Sequence, residues 1–166
     1  MKKCAKWLAV FIAVVCLGAA MAACGDEKGE AYKFKAATIE TTEGNESTMT
    51  DALSATMTQM FQDSAIKVTD KKIKWDIKDV GSQTLNCTKE GDKYILSGDY
   101  CKQVEDLLTS SYKAMGVEVS AHAEWSGVKT EEGYEILFVM TVDGFSVSGI
   151  QVPGFTTITK YVFTKA

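Results

Sequence analysis

The sequence predicts a mainly β domain with two helices, built as an antiparallel meander barrel of about 8 or 9 strands. Three observations predict it. Short apolar/polar alternations recur from about residue 31 to the C-terminus. Turn signals such as Asp70-Lys71, Glu90-Gly91-Asp92 and Asp143-Gly144 separate them at hairpin distance. Only two stretches, 49–62 and 100–115, carry apolar residues at helical spacing instead.

The elements follow in order. Met1-Lys2-Lys3 and Lys6 form a positive start, Trp7 to Ala23 is apolar or small throughout, and Cys24 follows. That is the three-part pattern of a secretory leader. The apolar run is slightly short of the roughly 20 residues a membrane-spanning helix needs. Gly25 to Glu30 is polar and glycine-containing, a short flexible tether. The chain thus divides into a leader over 1–23, a tether over 24–30 and one domain over 31–166.

Ala31 to Thr42 reads as the first strand, with Tyr32 and Phe34 on one face. Thr48 or Thr50 would cap a helix whose apolar side is Met49, Leu53, Met57, Met60 and Phe61. A methionine stripe of this kind fits a helix packed on a core better than a promiscuous binding face. Ile66-Lys67-Val68 and Ile73-Lys74-Trp75 flank Asp70-Lys71. A two-residue loop pairs Val68 with Ile73 and Ile66 with Trp75, which puts these four and Ile77 on one face. Residues 82–89 and 93–97 make a second hairpin.

The second helix, 100–115, gathers Val104, Leu107, Leu108, Tyr112 and Met115 on one side and stops at Gly116. Val117, Val119, Ala121, Ala123 and Trp125 then alternate with polar residues, and the two alanines leave inward room for a larger partner or a ligand. Residues 134–142 are apolar on both faces, as in a strand covered on both sides by sheet and helix. Asp143-Gly144 predicts a hairpin pairing Val142 with Phe145 and Met140 with Val147. Pro153-Gly154 turns the chain into a closing strand over 155–164. The two helices are expected to plug the barrel ends. A faint internal echo runs through the domain: helix, Val-rich strand, tryptophan, Glu-Gly turn, then tyrosine. It places Trp75 and Trp125 at similar points of two half-sheets.

Composition narrows the function. The 18 basic residues are all lysine, against 22 acidic ones. Loss of Lys2, Lys3 and Lys6 with the leader takes the mature charge to about −7. Arginine is the residue suited to bidentate phosphate recognition. An acidic, arginine-free domain is a poor nucleic-acid binder.

No cofactor motif or zinc spacing occurs. His122, the only histidine, lies on the polar face of its strand with Glu124 as same-face neighbour. It carries no nucleophile or third group with it, and no enzyme is expected. Cys87 and Cys101 remain after Cys24. They could close a disulfide outside the cytoplasm, or stand as two buried thiols.

Two resemblances add to this reading. Met21-Ala22-Ala23-Cys24 resembles the bacterial lipobox, with Met where leucine is commoner. The resemblance implies cleavage before Cys24, acylation of that residue and anchoring in the cell envelope, outside the cytoplasm. The order and size of the elements resemble the lipocalin-like lipoproteins of bacteria, with Tyr32-Lys33-Phe34 standing where lipocalins have Gly-x-Trp. That resemblance implies a barrel holding a small apolar ligand, with Trp75, Trp125, Phe138, Met140 and Phe145 as candidate cavity lining. The alternative is that the same residues simply fill the core, and that the domain contacts another envelope protein or inhibits an enzyme. A minor third resemblance is Asp63-Ser64-Ala65, similar to the O-glycosylation site of some secreted bacterial proteins.

Overall fold

The computed structural model describes residues 29–42, 47–114, 116–147 and 150–166, so Cys24, the expected leader before it and Met115 lie outside the described residues. Ten strands and two helices follow in order. They are β1 (Glu30–Thr41), α1 (Ser47–Phe61), β2 (Ala65–Val68), β3 (Lys72–Ile77), β4 (Gly81–Glu90) and β5 (Lys93–Ser97). After them come α2 (Asp99–Ala114), β6 (Ala121–Lys129), β7 (Gly133–Val142), β8 (Phe145–Val147), β9 (Ile150–Val152) and β10 (Phe155–Lys165).

Eight of the strands close a barrel in the order β1-β10-β7-β6-β5-β4-β3-β2, every neighbouring pair antiparallel. The predicted meander is therefore the observed one. The β2–β3 register matches its prediction residue for residue, Val68 with Ile73 and Ile66 with Trp75. Inward residues alternate with outward ones as the pleat requires. In β3, Ile73, Trp75 and Ile77 are buried while Lys72, Lys74 and Asp76 face water.

β1 holds the one phase change. Tyr32 and Phe34 point inward, then a bulge between Phe34 and Ala36 moves the inward set to Ala37 and Ile39. A bulge spends one residue to bend and twist its strand, which suits barrel closure. Beyond the bulge β1 has no strand on one side, because β2 pairs only with Glu30 to Lys33. Helix α1 takes that place. The amide of Ile39 donates to Ser54 Oγ (2.8 Å), and Ser54 donates in turn to the Thr50 carbonyl (2.7 Å). Ala37 N–H donates to Thr58 Oγ1 (3.0 Å), whose hydroxyl donates back to the Ala37 carbonyl (3.2 Å). Two hydroxyls one helical turn apart thus stand in for a strand partner. Removing both, as Ser54→Ala with Thr58→Ala, is expected to cost about 2 kcal/mol. Native-state hydrogen exchange would show the amides of Ala37 and Ile39 opening faster, with the rest of the barrel little changed.

Helix α2 ends where glycine predicts. Val117 N–H reaches the Tyr112 carbonyl (3.1 Å), Gly116 N–H reaches that of Lys113 (2.9 Å), and Gly116 has φ +75°. These two bonds make a Schellman close, which the left-handed glycine permits.

Several expectations need correction. Helix α1 begins at Ser47, so Thr48 and Thr50 lie within it and do not cap it. Strand β6 starts at Ala121 rather than Val117, since the chain is still leaving the helix close. Asp143-Gly144 does not make a β7 hairpin. Val142 pairs with Phe155, and β8 pairs with β9 as a separate two-stranded ribbon. A three-residue return would have gained a few rungs; the long β10 pairs along the whole of β7 and also along β1. Glycine lets the ribbon leave and rejoin so narrowly: a Cβ on Gly154 would lie 2.8 Å from the Val142 carbonyl and 3.0 Å from Gly144 N. The outer face of β7 is only half-buried, and the helices pack on β1, β4, β5 and β6 rather than on it.

The largest correction concerns the ends. Both helices, and the ribbon, insert at the same end of the barrel, where odd-numbered β1, β5 and β7 finish. The opposite end carries the tight β2–β3, β4–β5 and β6–β7 turns together with Glu30 and Lys165. An up-and-down barrel places alternate connections at alternate ends, so long insertions confined to one parity leave only tight turns at the other end among the described residues.

Candidate functional site

The interior is a continuous net of rings. Trp75 of β3, fully buried, meets Phe61 of α1 (centroids 5.5 Å apart), Tyr161 (5.0 Å) and Phe163 (5.7 Å) of β10, and Tyr100 of α2 (6.2 Å). Most of these contacts are edge-on, the arrangement that ring quadrupoles favour. Tyr100 also touches Trp125 (5.8 Å), which lies on Phe138 (4.4 Å). The two tryptophans suggested by the internal echo are therefore bridged by one tyrosine from α2.

Of the five candidate lining residues, Trp75, Trp125, Phe138 and Met140 are buried inside the barrel. Phe145 is buried too, but on the ribbon, where it packs on Tyr112 of α2 at 6.4 Å. The indole N–H groups of Trp75 and Trp125, Thr159 Oγ1 and the Tyr134 hydroxyl are buried without a protein partner among the described residues. Such groups carry a desolvation cost of about 1–3 kcal/mol each unless something bonds them.

Open space lies at the end that carries the tight turns. A cleft of about 390 Å³ is bordered by Glu30 and Tyr32 at the start of β1, Thr69 and Asp70 in the β2–β3 turn, Tyr94 of β5, Lys129 of β6 and Tyr134 of β7. Tyr94 and Tyr134 each come just after a tight turn at this end, and Tyr32 lies near the start of β1. Inward register turns all three side chains to the barrel interior at this end, where Tyr32 and Tyr134 are each 1% exposed and Tyr94 is half-buried. Tyr32 and Tyr134 stand 5.9 Å apart at 47°, forming a corner. The Tyr134 ring crosses the inner side of Gly127, where a Cβ would lie 2.3 Å from its hydroxyl. A glycine covered by an aromatic ring from the next strand is a recurrent device of curved sheets.

At the rim, Lys129 Nζ binds Glu30 Oε1 (2.7 Å), and the Tyr32 hydroxyl donates to the other oxygen of Glu30. Those two bonds hold the Glu30 carboxyl below its ordinary range. Burial first, and the bond to Glu30 second, push the Tyr32 phenol up to about 12. Burial raises Tyr134 as well. A smaller cleft of about 290 Å³, on the helix end of the barrel, is bordered by amides and hydroxyls such as Gln83, Asn86 and Gln103.

The remaining site residues are placed as follows. His122 is exposed on the outer face of β6, opposite Thr141. No group of three or more His, Cys, Asp or Glu that could hold a metal occurs among the described residues. Cys87 and Cys101 are free thiols in this structure, one on β4 and one on α2. Burial pushes them up to about 11 and about 12. Ser64 is 3% exposed, so its hydroxyl is sheltered from modification in the folded domain.

The raised groups set an alkaline limit. In an unfolded chain cysteine titrates near pH 8.5 and tyrosine near pH 10, about two units or more below these folded values. The unfolded state therefore loses its protons first. The stability these groups contribute is whole below about pH 8.5 and is lost as pH rises toward the folded values. Urea midpoints should fall steadily above about pH 9. Native Cys87 and Cys101 should resist alkylation at neutral pH and react fully once unfolded.

Tyr32, Tyr94 and Tyr134 were not among the site residues expected from the sequence. Their signal was present in the echo: Glu90-Gly91 and Glu132-Gly133 each precede an inward tyrosine, Tyr94 and Tyr134. What was missing was the knowledge that both turns lie at one end.

The described residues define a closed eight-stranded antiparallel barrel with both helices inserted at one end and a shallow cleft beside Tyr94 at the other. Compared with protein-family models, curated proteins and solved structures, the chain gives no match.

Proposed function

We propose that this chain is a lipid-anchored barrel of the bacterial cell envelope that binds a small ligand at its tether-end mouth. The observation that carries the reading is the 390 Å³ cleft at the tight-turn end, bordered by the half-buried Tyr94, with the buried rings of Tyr32 and Tyr134 beneath it and a Tyr134 hydroxyl that has no protein partner among the described residues. Small-ligand sites are concave, largely apolar and supplied with a few placed polar groups, and barrel mouths are a common place for them.

The sequence reading expected an apolar ligand among Trp75, Trp125, Phe138, Met140 and Phe145. Ring-to-ring contact occupies the space around Trp75, so the proposed ligand sits at the mouth and is partly polar. Anchoring rests on the lipobox-like Met21 to Cys24. Two acyl chains would hold the domain stably where one is marginal. Binding rather than catalysis is the reading, because the mouth supplies recognition groups and no activated nucleophile.

Two experiments test it. Cys24→Ala should move the protein from the membrane to the soluble fraction; unchanged sedimentation with membranes would remove the anchor. Native mass spectrometry of the chain purified from its own cells should show a non-covalent small-molecule adduct that Tyr94→Trp, by crowding the mouth, abolishes. An adduct-free spectrum for the wild type would sink the binding reading.

One observation favours a second reading, a filled barrel that docks another envelope protein. Ile150, at the tip of the β8–β9 ribbon, is 67% exposed, a large apolar side chain held out in water. Cross-linking on intact cells should then recover one dominant partner through the ribbon, and Ile150→Asp should lose it.

A further inference from the structure

We propose that the outer face of β6, β7, β10 and β1 is an interface between two copies of this chain. Residues 134–142 are apolar on both faces, the pattern of a strand covered on both sides. Ile136, Phe138 and Met140 fill the interior, while Leu137 and Val139 point outward and are only half-buried. Neither helix packs on β7. Strand β10 repeats the pattern beside it, with Ile158 and Val162 outward and half-buried. The ladders join these residues into one patch. Val139 stands directly opposite Ile158, Val162 opposite Ala36 of β1, and Val128 of β6 opposite Glu135. The far side of the same barrel differs. On β3 and β4 the outward residues are Lys72, Lys74 and Asp76, then Ser82, Thr84 and Asn86, with no apolar side chain among them. One side of the barrel is thus made for water, and the other carries an apolar patch rimmed by polar residues, the mark of an interaction surface.

Charge selects a second copy as the occupant. Toward the helix end the patch is flanked by Glu40, opposite Ile158, and by Glu124, opposite Val139. Neither carboxylate is in an ion pair among the described residues. Toward the tight-turn end, Glu132 and Glu135 are already matched by Lys35 (3.8 Å) and Lys160 (3.9 Å), and Lys33 stands in excess beside Thr164. A two-fold axis running across the strands lays the helix-end half of one copy on the tight-turn half of the other. The unmatched carboxylates then approach the lysine-bearing half, and β7 lies over β7. Closed two-fold contacts of this kind are the commonest in homo-oligomers. An anionic lipid surface would instead meet Glu40 and Glu124. The size fits a reversible pair. Four strands about 4.8 Å apart, with outward residues from Thr156 to Thr164, cover about 500 Å² on each copy. The pair would bury about 1,000 Å², the small end of specific interfaces.

The test is disulfide cross-linking of the full chain in intact cells. Leu137→Cys places a thiol at the middle of the face, where the two-fold sets it against its own copy, and Thr84→Cys places one on the polar side. Mild oxidation should convert the Leu137→Cys chain to a band of twice its mass and leave the Thr84→Cys and wild-type chains as monomers. Added to Leu137→Cys, Ile158→Glu should lower the dimer yield about ten-fold, because the interface would bury an unmatched carboxylate. Glu40→Lys with Glu124→Lys leaves the apolar contacts in place and should lower the yield about three-fold by removing the charge match. All these positions point outward, and a melting curve like that of the wild type confirms that each variant is folded. No band from Leu137→Cys would overturn the proposal. Equal bands from Leu137→Cys and Thr84→Cys would overturn it as random collision. A band at any mass other than twice the chain would give the face to a different protein and overturn the second copy.

Discussion

Trp75→Ala is expected to cost about 4 kcal/mol, a large part of the roughly 5–15 kcal/mol that holds a domain of this size folded. The reason is position. Trp75 is fully buried and is the ring on which α1, α2 and β10 converge, through Phe61, Tyr100, Tyr161 and Phe163. Truncation removes the transfer energy of the indole and also opens a void between three elements that cannot all collapse into it. Equilibrium urea unfolding would measure the loss. Near-ultraviolet circular dichroism should fall with it, because the same rings give that signal. Trp75→Phe should recover most of the stability, and it removes an indole N–H that lacks a protein partner. A cost below about 1 kcal/mol for the alanine variant would show that Trp75 is not the hub described.

Gly133→Ala should cost about 3 kcal/mol for a different reason. Gly133 opens β7 beside Thr164, and a Cβ built there would lie 1.9 Å from the Phe163 carbonyl oxygen and 2.9 Å from its carbon. Both atoms are backbone of β10, so no rotamer change relieves the clash. Either β7 or β10 must shift, and β10 is the strand that closes the barrel between β7 and β1. Gly91→Ala is the control. Gly91 has φ +62° with nothing near its added methyl, so only the left-handed backbone costs, about 1 kcal/mol. Thermal melting of the two variants side by side would check the order. If Gly91→Ala proved the more damaging, close strand approach at Gly133 would be the wrong cause.

Strand existence and pairing were legible wherever alternation and turn chemistry agreed. Ile66-Lys67-Val68 and Ile73-Lys74-Trp75 carried their register in the period of the side chains, because a one-residue slip would have put Trp75 in water. Gly116 announced the end of α2 because its left-handed φ is one that other residues reach only at a cost. The failures have a common cause. Asp143-Gly144 is a hairpin signal within a short window, and it was outweighed by a strand a dozen residues away. Local turn preference is worth a few tenths of a kcal/mol to about 1 kcal/mol; a full-length ladder with a buried face is worth several times that. The bulge in β1 was likewise out of reach, since the need to bend there comes from barrel closure.

The candidate site shows the same division. Trp75, Trp125, Phe138 and Met140 were legible as inward residues because alternation marks a face, and alternation marks core and cavity alike. Phe145 joined them by the mistaken hairpin and sits on the ribbon instead. Tyr32, Tyr94 and Tyr134 were visible as inward residues too, yet nothing local says that three strand starts share one mouth.

By itself, then, the sequence determined the fold class, most strands and their inward faces, both helices, the acidic arginine-free surface and a lipobox-like stretch ending at Cys24. Each of these is written in residue types and spacings a few positions long. Tertiary structure decided that both helices and the ribbon cover one end, that β10 closes the barrel, and that three tyrosines, two carboxylates and Lys129 meet at the other end. Those depend on which strand ends coincide in space, a property of the closed ladder as a whole and of no segment within it.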